Sequence, residues 1–222
     1  MLSMVQALNP MKRDEELFQE FDLSQETKPI FFFYTWDELA ISIGKIQRKR
    51  GELIKEAEAL GIPCYLRPTG GRAVLHGSDI CYTFIGTQND NEFGGTMQES
   101  FKKVNLKIIE LINVAINSKK LLPSSSSLFV QSDSDKVVCN DSKINCFSSS
   151  VSNEGLINGQ KILGAAQAMG SRSFIQQGSI QVNPVTSNLS YFKDTPNLTE
   201  LINNGEPWDL KELCSTLNLC LI

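Results

Sequence analysis

Apolar and polar positions follow two different spacings along the chain. Apolar residues at helical spacing predict helices over residues 11–21, 51–60 and 97–116, the last of which has the widest apolar face. Short continuous apolar runs predict strands at residues 30–34 and 39–44. The first of these runs is aromatic and unbroken, which is typical of a strand buried on both faces. The N-terminal half is therefore expected to mix helices with strands.

The C-terminal half has shorter apolar groups separated by turn residues. Asn158 and Gly159 lie between apolar pairs, and this dipeptide is a strong hairpin-turn signal. The pattern predicts a meander of short strands up to residue 182, followed by helical pieces at 198–202 and 210–217. With no internal repeat and no second core of domain size, residues 1–222 are predicted to form a single domain of mixed α and β structure.

The stretch 66–79 has the most distinctive composition of the chain. It holds Arg67, the pair Gly70 and Gly71, Arg72, and His76, the only histidine of the protein. The pattern predicts a strand, a tight glycine turn and a second strand. Glycines let the backbone approach a ligand closely, and arginines bind carboxylates or phosphates in bidentate fashion. On residue types alone, an anion site and an exposed hairpin with incidental arginines remain equal alternatives.

Composition and charge narrow the possible partners. Of the 222 residues 41% are hydrophobic, and the net charge of −4 argues against nucleic acid as the main partner. A basic run at Lys45 and residues 48–50 is either a solvated helix start or a docking patch for an acidic partner. No apolar run has the length of a transmembrane helix, so no membrane partner is expected.

The cysteines indicate a reducing compartment. None of the six forms a CxxC pair and there is only one histidine, so we expect no metal site. The N-terminus has no secretory signal, which favours a cytoplasmic protein with mostly free thiols. Five of the six cysteines are expected to be small buried hydrophobes, and Cys146 is the candidate exception.

Three segments in order resemble the lipoate–protein ligase and octanoyltransferase family. Residues 67–76 (RPTGGRAVLH) look like its signature loop, and residues 161–167 (KILGAAQ) and 177–180 (QGSI) resemble its second and third motifs. The resemblance covers about residues 8–190. It implies the biotin and lipoate ligase catalytic-domain fold, a mixed and largely antiparallel sheet flanked by helices, in the α/β (α+β) class. It also implies an enzyme that passes a medium-chain acyl group to a lysine of a lipoyl-bearing acceptor protein.

The resemblance assigns roles residue by residue. In this family the matching lysine, Lys161, meets the reacting carbonyl or phosphate, where its charge stabilises developing negative charge and lowers the pKa of a nearby thiol. In this family the residues of the first two motifs hold the acyl donor. The resemblance therefore implies that Arg67 meets the carboxyl or phosphate end of the donor and that the apolar flank of the loop contacts its acyl chain. The substrate-binding set is Arg67, Thr69, Gly70, Gly71, Arg72, Ala73, Val74, Leu75, His76, Gly164, Ala165 and Ala166. His76 is either such a ligand contact or a hydrogen-bonded structural group.

Cys146 decides between the reactions open to the family. It lies fifteen residues before Lys161, as in the cysteine-dependent octanoyltransferases, which form an acyl-enzyme on the thiol without a cofactor. Arg72 stands where many ATP-dependent ligases have glycine and points the same way. The alternatives are a ligase that uses ATP, Mg²⁺ and free lipoate, and a non-catalytic module that binds lipoyl domains or acyl groups. For the transferase the donor is an acyl carrier protein, and no accessory C-terminal domain is expected.

Overall fold

The computed structural model describes residues 9–47, 50–118, 129–130, 145–148, 155–157, 159–185, 187–192 and 195–221. Five helices and nine strands lie in these ranges. The helices are α1 (Pro10–Leu23), α2 (Arg50–Ala59), α3 (Met97–Ser118), α4 (Leu198–Ile202) and α5 (Leu210–Leu219). The strands are β1 (Ile30–Tyr34), β2 (Ala40–Gly44), β3 (Cys64–Arg67), β4 (Val74–His76), β5 (Asp79–Thr87), β6 (Phe129–Val130), β7 (Gly155–Ile157), β8 (Gln160–Met169) and β9 (Ser173–Gln181).

The strands form two sheets. The larger sheet has the order β1-β5-β9-β8-β7-β6, and every neighbouring pair in it is antiparallel. The smaller sheet has the order β3-β2-β4, with β2 parallel to β3 and antiparallel to β4. This mixed, mostly antiparallel arrangement with flanking helices confirms the predicted fold class.

Each sheet buries its own apolar core. Helices α3 and α5 pack on the larger sheet, where Ile108 and Ile112 of α3 meet Tyr82 and Phe174 of the central strands. The smaller sheet packs Ile41 and Ile43 against α2, whose Leu53 and Ala57 are fully buried. The predicted helices therefore form because each has one apolar face to cover. Within the described residues, no helix is both long and apolar enough to cross a membrane.

Two strands differ from the sequence prediction. The aromatic run Ile30–Tyr34 forms β1 with the predicted bounds, but it is an edge strand in which only Phe33 is buried. The prediction of burial on both faces was therefore wrong. The predicted meander of short strands was also wrong for residues 160–181, which form the two long strands β8 and β9. Small residues such as Ala165 and Ala168 continue β8 because they pair with β9 rather than ending the strand.

The glycine-rich stretch is not a hairpin. Strands β3 and β4 both pair with β2, on opposite sides of it, and residues 68–73 form the loop that passes over the end of β2. This corrects the expectation of a tight strand–turn–strand unit. We call residues 68–73 the glycine loop. Its position at the junction of the two sheets places it beside the cavity described below.

The turn between β8 and β9 is held by a carboxylate from α1. Asp22 accepts hydrogen bonds from the backbone N–H groups of Ser171, Arg172 and Ser173, at 2.9, 3.0 and 2.9 Å, and from both serine hydroxyls. Partial burial raises the pKa of this carboxyl, but these hydrogen bonds outweigh burial and hold the pKa well below its usual range. Asp22 therefore stabilises the fold only while it is ionised.

We expect Asp22→Asn to lower the free energy of unfolding at pH 7 by about 1 kcal/mol. Because the folded-state pKa is depressed, the wild-type advantage is complete above the unfolded-state pKa of about 3.9 and shrinks as pH falls below it. Chemical denaturation at pH 7, 4 and 3 measures the gap between the two proteins. Asp37→Asn is the control, since Asp37 is 90% exposed and lies 3.9 Å from Lys211. A gap that stays constant down to pH 3 would contradict the assignment.

Candidate active site

A mostly apolar cavity of about 350 Å³, counting its open mouth, lies where the two sheets meet. Strands of both sheets, helix α1 and the short 3-10 helix Cys146–Ser148 contribute to its wall. Its lining consists of Met11, Tyr34, Ser42, Arg67, Val74, His76, Cys81, Cys146, Gly164, Ala165, Ala166, Gln177, Gly178 and Ser179. Half of these residues come from the set predicted from the sequence.

Other members of the predicted set lie elsewhere. Ala73 and Leu75 are buried in the smaller core, packed with Ile41 and Phe192 rather than lining the cavity. Thr69 is buried, and its hydroxyl donates to Gln177 Oε1 at 2.9 Å. The alternation of side chains along β4 explains the split, because Val74 and Leu75 point to opposite faces of the sheet.

Arg67 braces the glycine loop. One terminal nitrogen donates to the backbone oxygen and the hydroxyl of Ser42 at 3.1 and 2.8 Å, and the other donates to the carbonyls of Gly70 and Arg72, each at 2.8 Å. Burial lowers the pKa of Arg67, although nearby Cys146 counteracts this. The guanidinium was predicted to bind the anionic end of a donor, but both of its terminal nitrogens are bonded to protein acceptors.

Two glycines make this close packing possible. A Cβ on Gly44 would lie 2.0 Å from the carbonyl oxygen of Gly71, so only glycine lets the end of β2 touch the loop. Gly71 has a φ of +85°, which side-chain-bearing residues rarely adopt. The glycine pair is therefore required by the packing of the loop on β2.

Cys146 lines the cavity, and Lys161, which is not part of the lining, lies beside it. The Lys161 ammonium lies 3.6 Å from Cys146 Sγ and donates to the Cys146 carbonyl at 2.9 Å. Lys161 is only 5% exposed although it sits on a strand, and its ammonium also lies 5.5 Å from the centre of the Phe147 ring. The half-buried thiol of Cys146 therefore has a buried cation as its neighbour.

The backbone around Cys146 fixes the position of its thiol. The Cys146 N–H donates to the carbonyl of Ala73 at 2.9 Å, and Asn145 forms a parallel bridge with Ala73. Gly164 leaves space for the sulfur, because a Cβ there would lie 3.2 Å from Sγ. The thiol is thus held between the glycine loop and β8.

His76 is at the centre of a buried polar cluster. Its Nδ1 lies 2.8 Å from Asp79 Oδ2, and its Nε2 lies 2.7 Å from Ser42 Oγ. The Trp36 ring stacks on the imidazole with centroids 4.6 Å apart and an angle of 14°. His76 is therefore a hydrogen-bonded group that also lines the cavity, and its contact with a ligand stays a prediction.

Sequence reasoning missed several residues of this cluster. Ser42, Asp79 and Cys81 were not singled out as site residues. No metal site was expected from the sequence. His76, Asp79 and Cys81 each offer one atom that could bind a metal ion, and these atoms all lie within 4.8 Å of one another. Their mutual distances of 2.8 to 3.3 Å are those of hydrogen bonds. Asp79 and Cys81 closely follow the only histidine in the sequence, and this short spacing was the signal that could have identified them.

The remaining thiols differ from Cys146 in their surroundings. All five cysteines in the described residues are free, as predicted, while Cys139 lies outside them. Cys81 and Cys214 are buried, but Cys64 and Cys220 are only half-buried, so the expectation of burial was wrong for these two. Burial, with Asp79 adding to it, raises the pKa of Cys81 well above its usual value, and burial raises the pKa of Cys214 to about 11. Cys81 is therefore a neutral thiol.

The sequence matches a family model over most of its length. The model describes the lipoyl protein ligase A/B catalytic domain, and the match covers residues 6–206. The chain belongs to this family. The lipoyl ligase A/B match includes the glycine loop, Cys146 and Lys161, so every residue of the site described above falls inside it.

Curated proteins that are similar to this chain are named octanoyltransferase LipM. The protein from Carboxydothermus hydrogenoformans is 30% identical over 174 residues, covering 78% of this chain and 60% of that protein. The protein from Clostridioides difficile is 26% identical over 204 residues, covering 91% of this chain and 68% of that protein. The chain thus spans about 60% of the length of the first of these relatives.

Solved structures share the lipoyl ligase A/B fold at lower identity. A putative lipoate protein ligase from T. acidophilum, with bound lipoic acid, superposes with a TM-score of 0.64 at 19% identity, covering 93% of this chain and 76% of the other. Lipoate-protein ligase A bound with ATP superposes with a TM-score of 0.63 at 20% identity, covering 93% and 76% of the two chains. At this identity the likeness shows the fold.

Proposed function

We propose that this chain is an acyltransferase that moves an octanoyl or lipoyl group from a thioester donor to a lysine of a lipoyl-bearing acceptor protein. The observation that carries the proposal is the Lys161 ammonium, which lies 3.6 Å from the Sγ of Cys146, a residue that lines a mostly apolar cavity. The curated relatives named octanoyltransferase support the same reaction. The donor is proposed to be an acyl carrier protein.

The reaction has two steps. The Cys146 thiolate attacks the carbonyl of the donor thioester, an acyl–sulfur bond forms on Cys146, and the carrier thiol leaves after taking a proton. The amine of the acceptor lysine then attacks the acyl-enzyme, an amide forms as the acyl–sulfur bond breaks, and the Cys146 thiolate is released. The amine gives up to solvent one proton, which balances the proton taken by the carrier thiol. Lys161 stabilises negative charge on the sulfur and on the carbonyl oxygen in both steps.

The apolar lining supports a medium-chain acyl group as the cargo. Val74, Ala165, Ala166 and Met11 offer hydrocarbon contacts beside the thiol. Each methylene buried there contributes about 0.8 kcal/mol. These contacts would contribute to binding of the acyl chain without an anionic contact to Arg67.

The alternative is an ATP-dependent ligase, which needs groups that bind phosphate. Arg67 was the main candidate, and its two terminal nitrogens already bond to Ser42, Gly70 and Arg72. This favours the reaction without a cofactor. Acylation of an acceptor lipoyl domain by octanoyl carrier protein in the absence of ATP supports the transferase, whereas acylation only by lipoate with ATP and Mg²⁺ supports the ligase.

Mass spectrometry of the intact protein tests the acyl-enzyme directly. After mixing with octanoyl carrier protein, the wild type should gain one octanoyl group (C8H14O), mapped to the peptide that contains Cys146. Cys146→Ala should gain none on that peptide, and Cys220→Ser should behave as the wild type because Cys220 is a half-buried thiol outside the cavity lining. Full transfer by Cys146→Ala would refute the mechanism. Acceptor binding without turnover of any donor would instead indicate a binding module.

A further inference from the structure

Ser42, His76 and Asp79 form a continuous hydrogen-bonded row. Ser42 Oγ lies 2.7 Å from His76 Nε2, and His76 Nδ1 lies 2.8 Å from Asp79 Oδ2. These are the same atoms, in the same order, that connect nucleophile, base and orienting carboxylate in serine hydrolases. All three residues are buried, and both Ser42 and His76 line the cavity that holds Cys146.

The hydrogen bonds of Asp79 fix the direction of the row. Its Oδ2 also accepts from the Ser179 hydroxyl at 2.5 Å and from the Cys81 thiol at 3.2 Å. Burial raises the pKa of Asp79, but attraction to His76 and these hydrogen bonds bring it below the usual value, so the carboxylate is ionised. An ionised carboxylate can only accept, and it therefore holds the imidazole proton on Nδ1. In the neutral ring the Nε2 lone pair then faces the hydroxyl of Ser42.

The surroundings hold the imidazole and the hydroxyl in place. Trp36 stacks on the imidazole, which keeps the ring in the plane of both hydrogen bonds. Arg67 donates to Ser42 Oγ at 2.8 Å, so a cation lies beside the oxygen that would become an alkoxide. Cys81 is less suited to attack because its thiol faces Asp79 and Nδ1 rather than Nε2. Ser42 is thus the hydroxyl that the base can deprotonate.

We propose that Ser42, His76 and Asp79 form a second catalytic centre, which hydrolyses medium-chain acyl esters and thioesters in the same cavity. Ser42 is its nucleophile, His76 its base, and Asp79 the positioning residue that orients His76. The activity goes beyond the transferase reaction and does not use Cys146. It requires only that an acyl group enters the cavity.

The hydrolysis balances in two steps. Ser42 Oγ attacks the acyl carbonyl, its proton moves to His76 Nε2, the bond to the leaving alcohol or thiol breaks, and that group takes the proton from His76. Water then attacks the Ser42 ester, again giving a proton to Nε2, and the ester bond breaks. The products are a free fatty acid and the restored Ser42 hydroxyl.

Cys146→Ala protein tests the proposal because it lacks the acyl-transfer nucleophile. With p-nitrophenyl octanoate as the probe, it should release p-nitrophenol above the rate without enzyme. Adding Ser42→Ala or Asp79→Asn should lower that release by roughly 10²-fold. The matched control is Cys146→Ala with Ser190→Ala, which should hydrolyse at the full rate because the Ser190 hydroxyl bonds to Glu56 at the surface.

A second measurement does not require any change at Ser42. An alkyl fluorophosphonate added to Cys146→Ala should form an oxygen–phosphorus bond at Ser42 with loss of fluoride, and peptide mapping should locate it there. Labelling should fall in the Asp79→Asn variant of this protein, because the misoriented imidazole no longer accepts the Ser42 proton. Its circular dichroism spectrum should be unchanged, which would show that the fold is intact. The proposal would be overturned if Cys146→Ala hydrolysed p-nitrophenyl octanoate at the same rate with and without Ser42→Ala and if Ser42 carried no label.

The two proposals can fail separately. Loss of the octanoyl adduct on Cys146 with labelled Ser42 would refute the transferase mechanism alone. The adduct on Cys146 without any Ser42-dependent hydrolysis would refute the hydrolytic centre alone. In that case the row serves only to hold Arg67, and with it the glycine loop.

Discussion

Lys161→Ala is expected to lower octanoyl transfer by about 10²- to 10³-fold, which is the usual effect of removing one group that stabilises developing charge. The Lys161 ammonium is the cation within 3.6 Å of Cys146 Sγ, and it also anchors the Cys146 carbonyl at 2.9 Å. Its loss removes charge stabilisation from the thiolate and from the tetrahedral intermediate. Single-turnover formation of the octanoyl adduct on Cys146 measures the first of these effects, and transfer to a lipoyl domain measures both.

The controls for this prediction separate charge from packing. Lys161→Met keeps most of the buried hydrocarbon volume and should lose as much activity as Lys161→Ala while unfolding closer to the wild type. Lys107→Ala removes a half-buried lysine that pairs with Glu110 at 3.1 Å, away from the cavity lining, and it should leave the transfer rate unchanged. Wild-type rates in Lys161→Met would show that the charge is not needed.

Gly44→Ala is expected to disrupt the site through the backbone. The new methyl would lie 2.0 Å from the Gly71 carbonyl oxygen and 2.6 Å from that of Gly70, and neither is the flexible end of a side chain. Overpacking of this kind costs about 1–3 kcal/mol or more, which for a chain of this size lowers the melting temperature by roughly 2–10 °C. Because the glycine loop must move away from β2, octanoyl transfer should fall together with stability.

Gly51→Ala is the matched control. Gly51 lies in α2 with nothing within 4 Å of its added Cβ, so the substitution should leave stability unchanged or raise it by about 0.5–1 kcal/mol. Thermal unfolding and the transfer assay are measured on both variants. A Gly44→Ala protein with wild-type melting temperature and activity would mean that β2 and the loop do not need this contact.

Much of the fold was predictable because local patterns determine it. The apolar face of α3, the run of β1 and the antiparallel pairing of β7 with β8 can all be predicted from residues near in sequence, although Asn158 of the predicted turn lies outside the described residues. What the sequence did not reveal is how strands pair over long separations. The local sequence of β3 and β4 is typical of a hairpin. Both strands nevertheless pair with β2, which is separated from them in the chain by helix α2. Edge position likewise depends on strand order, so the exposure of β1 could not be predicted.

The site was predictable as far as the family motifs reached. Cys146 and Lys161 were identified from the resemblance, and the structure places them in contact. The partners of His76 were not, because Ser42 lies 34 residues away and meets it only through the pairing of β2 with β4. Arg67 was assigned to a ligand since a sequence cannot show that backbone carbonyls of the same loop already surround a guanidinium.

The bracing of the glycine loop by Arg67 has a consequence for how substrates are selected. Opening the loop would strip a buried cation, only 7% exposed, of the carbonyls of Gly70 and Arg72. A hydrogen bond to a charged group typically contributes about 1.5–3 kcal/mol, and two such bonds would be lost. The loop is therefore preorganised before any acyl group arrives, and little binding free energy is spent on ordering it. For the proposed transferase, discrimination between acyl chains would then depend on the fixed shape of the cavity rather than on closure around the bound chain.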